Sequence, residues 1–175
     1  MKRAALPLAA VLLLAGCGEA DEPAAQASEA AAPTLGDGAQ LPPQVADFPA
    51  LASKDCAEVV EFYLEAIGGR AWAQAALVWD DPVIDAARLE AVFGEYEELQ
   101  LEWPEPFVEG AAGSLYCTVS GKLTDAQDPA KPLIEGTLLL RRANDVPGAT
   151  PDQLRWTLQS STFVEMLERS GRGEP

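Results

Sequence analysis

The sequence contains no histidine. Histidine is the commonest general base at neutral pH and the commonest ligand for zinc and other transition metals. A Ser-His-Asp or Cys-His mechanism is therefore excluded. Metal chemistry would have to rest on carboxylates alone, and the sequence shows no acidic spacing of the EF-hand kind. We expect no metal site, no cofactor and no catalytic residue of these classes.

Basic residues are also scarce. The chain has 12 Lys and Arg against 28 Asp and Glu, which gives a net charge of −16. Beyond residue 16 the only adjacent basic pair is Arg141-Arg142. Nucleic acid, which requires a basic stripe, is not expected as a partner, and anionic lipid headgroups would also repel this surface. A solvated, solubilising surface is sufficient to explain most of the acidity.

The third absence is a long hydrophobic run. The most apolar stretch, from Ala4 to Ala15, is interrupted by Pro7 and is shorter than the roughly 20 residues that a spanning helix needs. It follows Lys2 and Arg3 and ends in small residues. A basic start, a short apolar run and small residues at the cleavage site predict a signal peptide over residues 1–16.

A cysteine stands directly after these small residues. Leu14-Ala15-Gly16-Cys17 resembles the lipobox of bacterial lipoproteins. The resemblance implies that Cys17 receives a diacylglyceryl group, becomes the mature N-terminus and binds the lipid bilayer through its acyl chains. Gly18, where an Asp would favour inner-membrane retention, points to the outer membrane, facing the periplasm. The alternative is an ordinary secretory signal with a chance cysteine.

Residues 17–52 are rich in Ala, Pro, Gly and acids, and their few apolar side chains are isolated. Prolines at five positions interrupt any helix that the alanines could form (Pro23, Pro33, Pro42, Pro43 and Pro49). Such a composition buries too little surface to offset its conformational entropy. We predict a disordered tether over 17–52 and one domain over 53–175, with a frayed C-terminus.

The domain region begins with helical patterns. Ser53 is a candidate N-cap, and apolar residues recur at helical spacing from Cys56 to Ile67. A second helix is predicted from Arg70 to Trp79. A third is predicted to begin at Asp81-Pro82 and to end at Gly94.

Four segments then alternate apolar and polar residues: Leu99 to Trp103, Leu115 to Leu123, Ile134 to Leu140, and Leu154 to Gln159. This period predicts antiparallel strands with one core face. Residues 164–168 fit either a closing strand or a helical turn. Helices followed by strands predict an α+β domain with helices packed on a curved sheet of about four to five strands.

Three short helices followed by a meander resemble the nuclear-transport-factor-like fold, the cone-shaped architecture shared with ketosteroid isomerases. The stretch from Glu109 to Tyr116 is similar to one found in uncharacterised bacterial lipoproteins of this type. The resemblance implies a pocket between helices and sheet. Such domains include enzymes, ligand-binding modules and assembly modules, so the fold assigns no chemistry.

Two cysteines remain after Cys17. Cys56 lies in phase with the apolar residues of the first helix, and Cys117 lies on the core face of the second strand. In an oxidising envelope, an even pair on elements that pack face to face should form a disulfide. The alternative is two free, buried thiols.

Aromatic residues are the candidates for lining a pocket: Tyr63, Trp72, Trp79, Tyr116 and Trp156. Regularly spaced aromatics are more often part of a core. Asp80, Asp81 or Glu135 could act as a pocket base beside a tyrosine, as in ketosteroid isomerases, but only if desolvated. Capping and solvation explain these acids equally well.

The leading functional hypothesis is a non-catalytic envelope lipoprotein whose domain binds a small apolar ligand or an envelope protein. The alternative is a small isomerase or hydrolase of the ketosteroid-isomerase type. A third hypothesis is a homodimer through the outer face of the sheet, which Leu139 favours because it lies on the nominally polar side of its strand. An open cavity with convergent Asp and Tyr would support the enzyme, and a filled interior would support an interaction domain.

Overall fold

The computed structural model describes residues 41–172. The predicted signal peptide, Cys17 and the greater part of the predicted tether lie outside these residues. The described helices are α1 (Cys56–Gly68), α2 (Trp72–Ala76), α3 (Ala86–Phe93), α4 (Pro151–Leu154) and α5 (Thr162–Gly171). The described strands are β1 (Leu99–Glu102), β2 (Phe107–Ala111), β3 (Ser114–Asp125), β4 (Ile134–Ala143) and β5 (Thr157–Ser161).

The five described strands form one antiparallel sheet, which confirms the predicted α+β class. β3 lies between β4 on one side and both β1 and β2 on the other. β1 pairs with the C-terminal part of β3 and β2 with its N-terminal part, so the two short strands share one edge. β5 pairs with β4 at the opposite edge.

The core lies between the helices and one face of the sheet, here called the inner face. Cys117, Val119, Leu138 and Leu140 point to it and are buried, as the alternation of their strands predicts. The first helix supplies the opposing face through a cluster of buried residues that recur at helical spacing: Cys56, Val59, Val60, Tyr63, Ala66 and Ile67. Asp55 caps this helix by accepting a hydrogen bond from the Ala57 N–H at 2.9 Å.

A disulfide joins α1 to β3, as predicted. Cys56 and Cys117 are bonded, with 6.6 Å between their Cα atoms and 61 residues of sequence separation. Both residues are buried, so the bond crosses the core.

The second and third helices are shorter than predicted. α2 covers only Trp72–Ala76, and α3 begins at Ala86 with Asp85 as its N-cap. Asp81 instead closes a turn by accepting from the Val83 N–H at 2.9 Å. The predicted helix over 70–79 ends early because the chain crosses to β5, where the Leu158 N–H donates to the Val78 carbonyl at 2.8 Å. Tertiary pairing overrides helix propensity here.

Two features of the strand region also differ from the prediction. β2 was not predicted as a strand. β5 begins at Thr157, because the residues before it form the helical turn α4, capped by Thr150. Residues 164–168, which fit either a strand or a helical turn, belong to the helix α5, whose N-cap Ser161 accepts from the Val164 N–H.

The folded part begins before the predicted boundary at residue 53. Short 3-10 turns form at Val45–Asp47 and Pro49–Ala52, and Leu51 is fully buried. The ring of Phe48 packs on that of Phe62, with 5.0 Å between centroids. These apolar residues lack a period because each contacts the domain from an irregular segment.

Candidate functional site

The interior between helices and sheet holds three of the five predicted pocket aromatics. Tyr63, Trp79 and Trp156 are all buried. Tyr63 and Trp79 meet edge to face, with 6.4 Å between ring centroids. The Trp156 indole N–H donates to the Lys54 carbonyl at 2.9 Å. The structure thus brings these rings into the core.

The space left beside Tyr63 is very small. The interior cavity has a volume of about 10 Å³ and is walled by Tyr63, Phe93, Leu123 and Phe163, among others. That volume is at the lower limit for one water molecule, whereas sites for small ligands measure roughly 300–1,000 Å³. Around Tyr63 and Phe163, the interior is filled by side chains.

The hydroxyl of Tyr63 lies inside this packed region. It is buried and has no hydrogen-bond partner of good geometry among the described residues. Burial raises the pKa of this hydroxyl, and the neighbouring Trp79 indole lowers it to a smaller extent. Tyr63 is therefore neutral at physiological pH.

The other two predicted aromatics lie elsewhere. Trp72 is half-buried on α2, where it lines a shallow depression with Phe48 and Arg70. Tyr116 alternates with the buried Cys117 on β3 and lies on the opposite, outer face of the sheet. The five aromatics do not form one site.

The three acids considered as a pocket base are all exposed. Asp80 and Asp81 lie in the turn after α2, and Glu135 lies on the outer face of β4. Glu135 forms an ion pair with Lys122 of the adjacent strand at 3.5 Å. An exposed carboxylate keeps its hydration and lacks the desolvation that a general base at neutral pH requires.

The outer side of the sheet carries a groove of about 800 Å³. It lies where the edge is interrupted between β1 and β2, because Pro104 and Pro106 stand between the two strands. Its floor includes Gly121 and Gly136, which face each other across β3 and β4. The lining is completed by Glu102, Trp103, Pro104, Ser120, Lys122, Glu135, Thr137 and Thr162.

Sequence reasoning missed this groove. Trp103 was predicted on the core face of its strand; it packs partly against the core and also lines the groove. The available signal was Trp103-Pro104-Glu105-Pro106, since two prolines directly after a strand require the edge to break.

Strand β2 borders the same interruption. All five of its residues are exposed. The exposed fraction is 64% for Phe107 and 48% for Val108. Phe107 faces Thr118 and Val108 faces Cys117 across the β2–β3 ladder, so the two side chains leave the strand on opposite faces. An apolar edge strand of this kind is a template for pairing with another chain.

The described residues also bear on metal binding and on membrane spanning. Within 41–172, no three His, Cys, Asp or Glu side chains converge to hold a metal ion. In the same range, no helix has the length and hydrophobicity to cross a bilayer.

Comparison with known proteins identifies no family model and no curated protein that matches the chain. Among solved structures, Bd1075 of Bdellovibrio bacteriovorus is similar over 62% of this chain, with 9% identity and a TM-score of 0.43. The chain spans only 38% of Bd1075.

Two further structures are similar. A candidate dehydratase of the NTF2-like family from Streptomyces avermitilis has 12% identity and a TM-score of 0.44, covering 65% of this chain and 95% of that one. A candidate calcium/calmodulin-dependent protein kinase type II association domain from Thiobacillus denitrificans has 18% identity and a TM-score of 0.41, covering 60% and 90%. At such identities and TM-scores, these likenesses assign this chain no ligand and no reaction.

Proposed function

We propose that this chain is a lipid-anchored envelope protein whose nuclear-transport-factor-like domain acts by binding a protein partner at its surface, without catalysis. The observation that carries the proposal is the packed interior at Tyr63: about 10 Å³ remains there between the helices and the inner face of the sheet. The surface offers a groove of about 800 Å³.

The arrangement of acids and tyrosine also favours binding over an isomerase or hydrolase. Catalysis of the ketosteroid-isomerase kind needs a desolvated carboxylate and a tyrosine that both reach the substrate. Tyr63 is enclosed in the core, and Asp80, Asp81 and Glu135 are exposed. A substrate bound at one of these exposed acids could reach the Tyr63 hydroxyl only if the core opened.

The anchoring part of the proposal rests on Leu14-Ala15-Gly16-Cys17. Stable attachment requires more than one acyl chain, since a single chain binds membranes only marginally. We expect Cys17→Ser to release the protein from the membrane fraction into the soluble periplasmic fraction. Membrane retention of the variant would contradict the assignment.

Site-specific photo-crosslinking in cells tests the binding part. A photoreactive residue replaces Ser120 in the groove, or Glu165 on the exposed side of α5 as the matched control. We expect a discrete protein adduct from position 120 and none from position 165. Equal labelling at both positions, or no adduct at position 120, would contradict a surface-binding role for the groove.

A second copy of the chain is the other candidate partner. The outer face carries Phe107, Tyr116, Thr118 and Leu139. If this face forms a homodimer, Leu139→Glu should convert a dimer to a monomer in sedimentation velocity. Gln100→Glu is the control for the added charge, because Gln100 is already exposed on β1.

A further inference from the structure

The edge of β2 that faces away from β3 has unpaired backbone groups. The turn between β2 and β3 has two residues, Ala112 (φ 46°) and Gly113 (φ 84°), as in a type I′ hairpin. The Ala111–Ser114 pair closes this turn, and hydrogen-bonded pairs alternate along an antiparallel ladder. The N–H and C=O groups of Val108 and Gly110 therefore point away from β3, and no described strand pairs with them.

The same edge is strongly acidic. Glu102, Glu105 and Glu109 flank or lie within β2, all are exposed, and none forms an ion pair with a described residue. Lys122 lies opposite Glu102 across the β1–β3 ladder and forms an ion pair with Glu135 at 3.5 Å; no other Lys or Arg occurs in the sequence between Arg88 and Lys131. A second copy pairing at this edge would bring like charges together, whereas a basic strand would be attracted.

The groove continues from this edge. Glu102 and Trp103 lie where β1 ends, and both line the groove. A guanidinium in the groove could pair with a carboxylate and stack on an indole, and the lining supplies one of each. Thr137 and Ser120 add hydroxyl groups to the lining.

We propose that the β2 edge takes an extended, basic polypeptide segment of a partner protein as an added strand, with one Arg side chain held in the groove by Glu102 and Trp103. This rests on the proposed surface-binding function and names its partner chemistry. Backbone bonds to Val108 and Gly110 supply affinity, and the alternating basic side chains supply specificity.

The test uses the full chain and three blocked peptides of equal length. One alternates Arg and Val, one alternates Glu and Val, and one alternates Arg and Pro. The third keeps the positive charge but lacks the donors on alternate residues. We expect the Arg-Val peptide to bind at least tenfold more tightly than either of the others, and amide exchange at Val108 and Gly110 to slow when it is added.

Two pairs of variants locate the binding. Val108→Pro removes one outward donor from an edge strand, while Val108→Thr keeps it; only the first should weaken Arg-Val binding, by at least tenfold. Glu102→Gln should weaken it severalfold and reduce its salt dependence, while Glu165→Gln should leave it unchanged. If Val108→Pro does not fold, the exchange measurement on the native chain decides.

Equal binding of the Arg-Val and Arg-Pro peptides, or no slowing of exchange at Val108 and Gly110, would overturn the proposal. A peptide-independent dimer lost in Val108→Pro would overturn it in favour of a second copy. These failures are distinguishable from failure of the proposed function, because crosslinking from position 120 in cells would persist in that case.

Discussion

The ring of Phe163 lies where a side chain on Gly136 would have to stand. A β-carbon added to this glycine would be 2.8 Å from both Cδ1 and Cε1 of the ring. Phe163 is the second residue of α5 and lies against the inner face of β4. Because Phe163 also walls the interior cavity, this contact helps to close the space between the helices and the sheet.

Gly136→Ala should therefore destabilise the domain by about 1–3 kcal/mol, the usual cost of overpacking a core. The ring has no room to move, since Phe163 is only 2% exposed. Urea unfolding monitored by tryptophan fluorescence measures the change.

Gly171→Ala is the matched control, because a β-carbon there has no heavy atom within 4 Å. We expect it to change stability by only a few tenths of a kcal/mol. Combining Gly136→Ala with Phe163→Leu should recover part of the loss. An unchanged urea midpoint in Gly136→Ala would show that the ring can move.

The sequence was sufficient to predict what depends on period. The inner-face residues of β3 and β4, the helix from Cys56 and the disulfide all follow from apolar side chains in phase with one another. The two cysteines could be paired because each lies in phase with buried neighbours on elements that must pack together.

Features that depend on volume or on long-range contact could not be predicted. Strand β2 is exposed on both faces, so it has no alternation to detect. Leu51 is buried by a tertiary contact of an irregular segment. Whether the space between the helices and the sheet is open or filled depends on the fit of side chains such as Phe163, which sequence spacing does not reveal.

Asp125 should make the domain sensitive to acid. Its carboxylate is buried and accepts hydrogen bonds from the Glu97, Glu98 and Gln127 N–H groups at 3.0–3.2 Å and from Lys131 Nζ at 2.7 Å. Lys131 first, and then these backbone donors, hold the pKa of Asp125 well below its ordinary range. The bonds tie the start of β1 to the loop after β3.

A carboxyl whose pKa is lowered on folding contributes stability that is fully present above its unfolded pKa of about 3.9 and is lost as the pH falls toward the folded value. Asp125→Asn should lower the urea midpoint at pH 7, and the difference from the native chain should shrink at pH 3. Asp152→Asn, at a side chain that is 92% exposed, is the control. A difference independent of pH would contradict the assigned role.

The disulfide should account for much of the stability of the domain. The two bonded cysteines are 61 positions apart in the sequence. For a loop of this length, the chain-entropy model suggests that the bond adds up to about 4 kcal/mol to the free energy of unfolding. Replacing both cysteines by Ala should cost about 2–4 kcal/mol in urea unfolding. Reductant should destabilise the native chain and leave the double variant unchanged; equal stability of the two proteins without reductant would contradict this.

Tyr63 offers a direct test of the filled interior. Its hydroxyl is buried without a well-formed hydrogen bond, and such an unsatisfied group costs about 1–3 kcal/mol. Tyr63→Phe keeps the ring and its edge-to-face contact with Trp79, and removes only the unsatisfied group. We therefore expect the variant to be about 1 kcal/mol more stable than the native chain.

Tyr116→Phe is the control, because Tyr116 lies half-buried on the outer face and its change should be within about 0.5 kcal/mol. Urea unfolding of the three proteins compares them. A clear loss of stability in Tyr63→Phe would mean that the hydroxyl bonds an enclosed polar group or water, and the interior would then have to be treated as a binding site.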